Sequence, residues 1–217
     1  MSDAVVFDAL GTLFQLRPLA ERLEELGAPE ATFDAWFERL LHSAAAVTLM
    51  DDFVPFGELA RPALATAAAR LGVELDSDDV LPLLERLPPY PDARPALERL
   101  REAGAVSAVL TNGGAGEMRT LLDAAGLAEH VWHVLSVEEV RAYKPHRATY
   151  RRMLELVELP PERVTLVSAH GWDVLGARAA GLHTVWVDRV EHRWPFPFPE
   201  PPRAPDLERA VELALTG

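Results

Sequence analysis

Five short apolar runs, each closing on a polar turn, set the frame for this chain; they occupy residues 4–7, 106–110, 131–135, 164–167 and 184–187. Runs this short, without polar alternation, predict strands buried on both faces. Between them, apolar residues recur with helical spacing at 93–103, 117–125, 146–157 and 172–180, and Gly104, Gly126 and Gly181 mark three of the stops. Strands alternating with helices predict an α/β fold, a Rossmann-like three-layer core around a parallel sheet. In such sheets ligands bind beyond the carboxyl ends of the strands. Four of these ends carry polar residues: Asp8, Thr111-Asn112, Ser168 and Asp188.

The rhythm breaks between residues 16 and 90, where four helical stretches follow one another at 19–26, 32–50, 57–71 and 78–87. Lying between the first and second strands, this segment has to leave the sheet and return. It predicts a helical cap (16–90) inserted into a hydrolase core made of residues 1–15 and 91–217. Residues 194–205 are rich in proline and predict a stiff spacer that wraps the tail over the core, ahead of a last helix at 206–215.

The chain has 217 residues, 49% of them hydrophobic, enough for a sizeable core. No apolar run approaches the ~18 residues needed to cross a bilayer, and the first residues do not read as a signal peptide. With no cysteine, thiolate metal sites, disulfides and a Cys nucleophile are excluded, and a reducing cytoplasm is the expected setting. A net charge of −13 argues against nucleic acid as a partner. Any site for a small anion must be built locally, from a lysine or from backbone N–H groups.

Asp8 leaves its strand into Ala9-Leu10-Gly11-Thr12, a tight turn that can fix and partly desolvate a carboxylate, as a covalent nucleophile requires. Alone, a strand-end aspartate is more often a turn former. Lys144, in Tyr143-Lys144-Pro145, could keep Asp8 ionised, although a lone Lys-Pro usually marks the surface. The run Ser168-Ala169-His170-Gly171-Trp172-Asp173 adds hydroxyl, imidazole and carboxylate at a strand end, and Asp173 alone could simply complement a helix dipole.

In this order at successive strand ends, these elements resemble the four motifs of the haloacid dehalogenase superfamily. Phe7-Asp8-Ala9 with Gly11 to Phe14, Tyr143-Lys144-Pro145 with Tyr150, and Trp172-Asp173 with Gly176-Ala177 are similar to its type II L-2-haloacid dehalogenase branch. The resemblance implies metal-free, cofactor-free hydrolysis of a small 2-haloacid through an ester on Asp8. It implies that Lys144 keeps Asp8 charged, that Asp173 handles the water, and that Ser168 and Thr111 hydrogen-bond Asp8 or the substrate. Asn112 and the N–H groups of Ala9 and Leu10 would bind anionic oxygens, and Trp172 would form an apolar wall. Homodimers occur among such proteins.

Two departures matter. His170 stands where the branch has an asparagine, as a hydrogen-bonding substitute or as a partner of Asp173 in activating water. Phe37, after Trp36, stands where the branch has an anion-gripping arginine; Arg39 lies about 200° further around a helix, and His42 is a weak alternative donor. A cationic group or clustered N–H donors facing Asp8 across the pocket would favour a haloacid substrate, and a wholly apolar wall would weigh against it. Two alternatives remain: a magnesium-dependent phosphatase of the same superfamily, opposed by Leu10 and Ser168 where acidic residues would stand, and an impaired relative acting as a binding module.

Overall fold

A computed structural model describes residues 3–217. Strands β1 (Ala4–Asp8), β2 (Val106–Thr111), β3 (His133–Ser136), β4 (Val164–Ser168), β5 (His183–Val187) and β6 (Arg203–Ala204) form one sheet in the order β3-β2-β1-β4-β5-β6. Every pairing is parallel. The strands run β1 to β3 toward one edge and β4 to β6 toward the other. β1 therefore lies at the reversal, where open sheets leave a crevice for ligands. Its alternate residues serve opposite layers: Val5 and Phe7 join one buried cluster, Ala4 and Val6 the other.

Helices α4 (Ala93–Glu102), α5 (Ala115–Ala124) and α8 (Leu207–Thr216) supply Leu97, Met118, Leu121 and Val211 to the cluster on the Phe7 side. Helices α6 (Arg147–Val157) and α7 (Gly171–Ala179) supply Tyr150, Met153 and Ala177 to the Val6 side. The result is the expected three-layer α/β core.

Between β1 and β2 lie α1 (Arg17–Glu25), α2 (Thr32–Leu49) and α3 (Phe56–Arg70). Trp36 of α2 is buried against α3, where its Nε1 donates to the carbonyl of Ala60 at 3.0 Å. The helix expected at 78–87 does not form; two 3₁₀ turns, Ser77–Asp79 and Leu81–Glu85, take its place. Pro82 lacks the N–H a continuous helix needs. The outgoing and returning segments of the insertion pair through an isolated bridge: Gln15 N–H donates to Pro88 O (2.9 Å) and Tyr90 N–H to Leu13 O (2.8 Å).

Two further expectations are corrected. The third strand begins at His133 and not at 131, because residues Ala128–His130 close a 3₁₀ turn and Trp132 is left outside, 70% exposed. The proline-rich tail is more than a spacer, since Arg203 and Ala204 add a sixth strand against Trp186 and Val187. Flanking prolines hide so short a strand from any periodicity, and they suit an edge. Among the described residues, no helix is long and apolar enough to cross a membrane.

Candidate active site

Asp8 ends β1 and is only 4% exposed. The chain turns sharply beyond it, with the carbonyl of Ala9 accepting from the N–H groups of Thr12, Leu13 and Phe14. Gly11 takes φ +82°, and a Cβ there would lie 2.8 Å from His170 Nε2, so backbone and space both demand glycine. Thr12 Oγ1 donates to Asp8 Oδ2 at 2.7 Å and accepts from Ala169 N–H at 2.9 Å, tying the first motif to the fourth.

Lys144 stands three residues before α6 and is buried. Its Nζ donates to Asp8 Oδ1 (2.6 Å), to Asp173 Oδ2 (3.0 Å) and to Leu110 O (3.0 Å), which uses all three of its hydrogens. The other oxygen of Asp173 accepts from Tyr150 OH at 2.6 Å. Two buried carboxylates thus share one ammonium. Burial by itself would raise the Asp8 carboxyl; the charges of Lys144 and His170, with hydrogen bonds from Lys144 and Thr12, outweigh burial and lower it. For Asp173 burial prevails, helped by the charge of Asp8, and its carboxyl is raised despite Lys144. Burial pushes Lys144 down, but Asp173 and Asp8 together push it above its ordinary value. Asp8 is therefore the firmly ionised member of the pair, and Asp173 the more basic one.

The space in front of Asp8 measures only ≈20 Å³ and is lined by Asp8, Leu10, Thr111, Asn112, His170 and Trp172, with Phe37, Leu41 and Phe56 closing the cap side. Asn112 Oδ1 accepts from Lys144 N–H (3.1 Å), which leaves the amide N–H₂ as the end able to meet an anion. His170 Nε2 lies 2.9 Å from Leu10 O and 3.8 Å from Asp8 Oδ2. The Leu10 carbonyl can only accept, so Nε2 carries the hydrogen and Nδ1 is the basic nitrogen. Trp172 stacks on His170, ring centroids 5.3 Å apart, and Phe37 approaches the same imidazole at 5.9 Å.

Other expected residues are placed differently. Ser168 Oγ accepts from His170 N–H (3.1 Å) and Thr111 Oγ1 from Gly113 N–H (3.0 Å); neither is hydrogen-bonded to Asp8, while Thr111 keeps its place in the wall of the pocket. Ala9 is buried and is not among the residues lining the pocket. Arg39 and His42 border a separate surface hollow with Arg70, so neither replaces the missing cap arginine. Asp188 is paired with Arg203 and His192 of the tail. Phe37, Leu41 and Phe56 make the cap side apolar, and among the described residues lining the pocket there no cation faces Asp8.

Three supporting residues escaped the sequence reading. Thr12 was visible only as a turn former and Tyr150 only as part of a motif run. Glu191, 20 positions on, accepts from Gly171 N–H at 2.9 Å and steadies the start of α7; no local pattern announces it.

A family model for haloacid dehalogenase-like hydrolases matches residues 2–181. The chain belongs to that family. Haloacetate dehalogenase H-2 of Moraxella sp. (strain B) is 30% identical over 218 aligned positions, 98% of this chain and 96% of its own length. The (S)-2-haloacid dehalogenase of Xanthobacter autotrophicus is 35% identical over 195 positions, 88% of this chain and 76% of its own length. Among solved structures, the L-2-haloacid dehalogenase from Xanthobacter autotrophicus with chloropropionic acid covalently bound superposes with a TM-score of 0.89 at 29% identity, covering 100% of this chain and 99% of that one. Within this family fold, the residues present do not suit magnesium. Lys144 Nζ already bridges Asp8 and Asp173, and among the described residues no group of three or more His, Cys, Asp or Glu could hold a metal ion.

Proposed function

We propose that this chain hydrolyses the carbon–halogen bond of a small 2-haloacid through an ester formed on Asp8, without metal or cofactor. The observation that carries this reading is an ionised carboxylate, hydrogen-bonded through both oxygens, facing a small, largely apolar space. A desolvated, charged oxygen is reactive toward carbon; the apolar cap side weighs against an anionic substrate, and the reading rests there on Asn112 N–H₂, a donor on the core side of the same pocket. The family and the activities named for its relatives support the same chemistry.

In the first step an Asp8 oxygen attacks C2 in line. The carbon–halogen bond breaks, and its electron pair leaves as halide. In the second, water attacks the Asp8 carboxyl carbon and a base takes its proton. Lys144 stabilises the oxyanion that develops there. The ester C–O bond then breaks, the departing oxygen is protonated, and Asp8 is restored. The products are a 2-hydroxy acid, halide and a proton. C2 is attacked once, so its configuration inverts.

The proton acceptor is assigned to His170, which borders the pocket, whereas Asp173 is closed in by Lys144 and Tyr150. The raised basicity of Asp173 favours a second reading in which it is the base. Asn112 N–H₂ is the donor for the carboxylate or halide, the task Phe37 cannot perform. In the same reading, residues 16–90 form a cap, with the paired segments at 13–15 and 88–90 as its base. The exposed Leu49 and Met50 are apolar surface that a homodimer would cover, and the lack of cysteine suits the cytoplasm.

The test is halide release from 2-chloropropionate after exhaustive chelation. We expect full activity, its abolition in Asp8→Asn, and ¹⁸O from labelled water in Asp8 after a single turnover. In His170→Gln we expect the Asp8 ester to accumulate, visible as an adduct by mass spectrometry; accumulation only in Asp173→Asn would transfer the base role. Activity that vanishes on chelation, or survives in Asp8→Asn, would sink the reading.

A further inference from the structure

We infer that the preferred substrate carries an extended, uncharged apolar arm on C2, housed in a second cavity beside the Asp8 pocket. The inference rests on the haloacid reading and narrows its substrate class. The space against Asp8, ≈20 Å³, holds little more than one water-sized group, too little for a whole 2-haloacid. The rest of any substrate must lie elsewhere. A cavity of ≈470 Å³ adjoins it and shares Leu10, Phe56 and Thr111 with it as common walls.

The chemistry of that cavity decides what the arm can be. Leu81, Leu84, Met118 and Leu121 provide apolar surface from both the insertion and α5. Glu58, Glu85, Glu117 and Glu138 also line it, and its one cation, Arg61, is already paired with Asp78. Apolar area rewards added methylenes, by about fourfold each when fully buried. The carboxylates repel a second negative charge at the far end of the arm.

Gly57, in the first turn of α3, lines this cavity, and a Cβ built there meets nothing within 4 Å. Gly57→Leu therefore adds side-chain volume to the cavity from a Cβ that meets no neighbour, and replacing glycine inside a helix favours folding. Two readouts test the inference: kcat/KM for halide release from 2-bromopropionate, 2-bromohexanoate and 2-bromohexanedioate, and calorimetric binding of propionate and hexanoate, which need no chemistry. We expect 2-bromohexanoate to be favoured over 2-bromopropionate at least tenfold, the diacid to lose that advantage, and hexanoate to bind correspondingly tighter than propionate. Gly57→Leu should shrink the preference about tenfold in both assays. Equal binding of the two plain acids, or a preference untouched by Gly57→Leu, overturns the inference. If hexanoate is preferred and Gly57→Leu removes that preference while no acid releases halide, the cavity assignment stands and the haloacid reading falls.

Discussion

At Lys144 every ammonium hydrogen is committed, two of them to carboxylates that are themselves buried. Removing the amine leaves two negative charges facing each other out of reach of water. Lys144→Met should therefore cost about 3–5 kcal/mol in urea unfolding, and adding Asp173→Asn should recover part of it, because one of the stranded charges is gone. Unfolding like the parent protein would show that the pair is not energetically closed. The sign with pH follows from the shifts. Asp8 is lowered from 3.8, so its stabilisation is present above that value and fades as pH falls through its lower folded value. Lys144 is raised from 10.5, so its contribution is complete below that value and is lost as pH rises through its higher folded value. Asp173, raised from 3.8, opposes Asp8, since folding disfavours its ionisation. Asp173→Asn should accordingly flatten the stability lost on raising the pH through the raised folded value of Asp173, measured by denaturant midpoints across that range.

Helix α7 has to approach the rest of the site closely, and glycine makes that contact. A Cβ on Gly176 would stand 2.6 Å from both Pro145 Cβ and Tyr150 OH. Gly176→Ala should push α7 away from the loop carrying Lys144 and stretch the hydrogen bond from Tyr150 to Asp173. We expect a cost of about 1–3 kcal/mol, typical of overpacking, and a fall in kcat larger than any rise in KM; unchanged kcat with lowered melting temperature would separate packing from catalysis. The Gly-Ala pair was legible as a family feature, but its partner across the interface was not, since 31 positions separate Gly176 from Pro145. Element boundaries failed where local chemistry competes with periodicity, at Pro82 and around Trp132.

Arg189 joins parts of the molecule that are far apart in the chain. Its guanidinium donates to Thr12 O at 2.8 Å, pairs with Asp92, and lies 4.0 Å from the Tyr90 ring. Asp92 in turn accepts from Leu207 N–H at 2.8 Å, at the start of α8. One side chain thus fastens the turn after Asp8, the return from the insertion and the C-terminal helix. Arg189→Met strands the mostly buried Asp92 and should lower stability by about 3–5 kcal/mol, which for a chain this long is a melting-point loss on the order of 10 °C. Arg189→Lys should restore only part, lacking the planar fork. A melting curve unchanged in Arg189→Met would show that these segments hold together without it.

By itself the sequence determined the α/β class and the helical insertion, which are written locally in buried runs and in helical spacing; the pairing of Asp8 with Lys144 was legible only through the family resemblance. The tertiary structure alone decided which groups touch. It paired the hydroxyls of Ser168 and Thr111 with their own turns while keeping Thr111 in the pocket wall, enclosed Asp173 between Lys144 and Tyr150, brought His170 to the pocket, and left Arg39 and His42 outside. The physical reason is that a hydroxyl or imidazole has several partners within reach. Only the packing of segments remote in sequence selects among them.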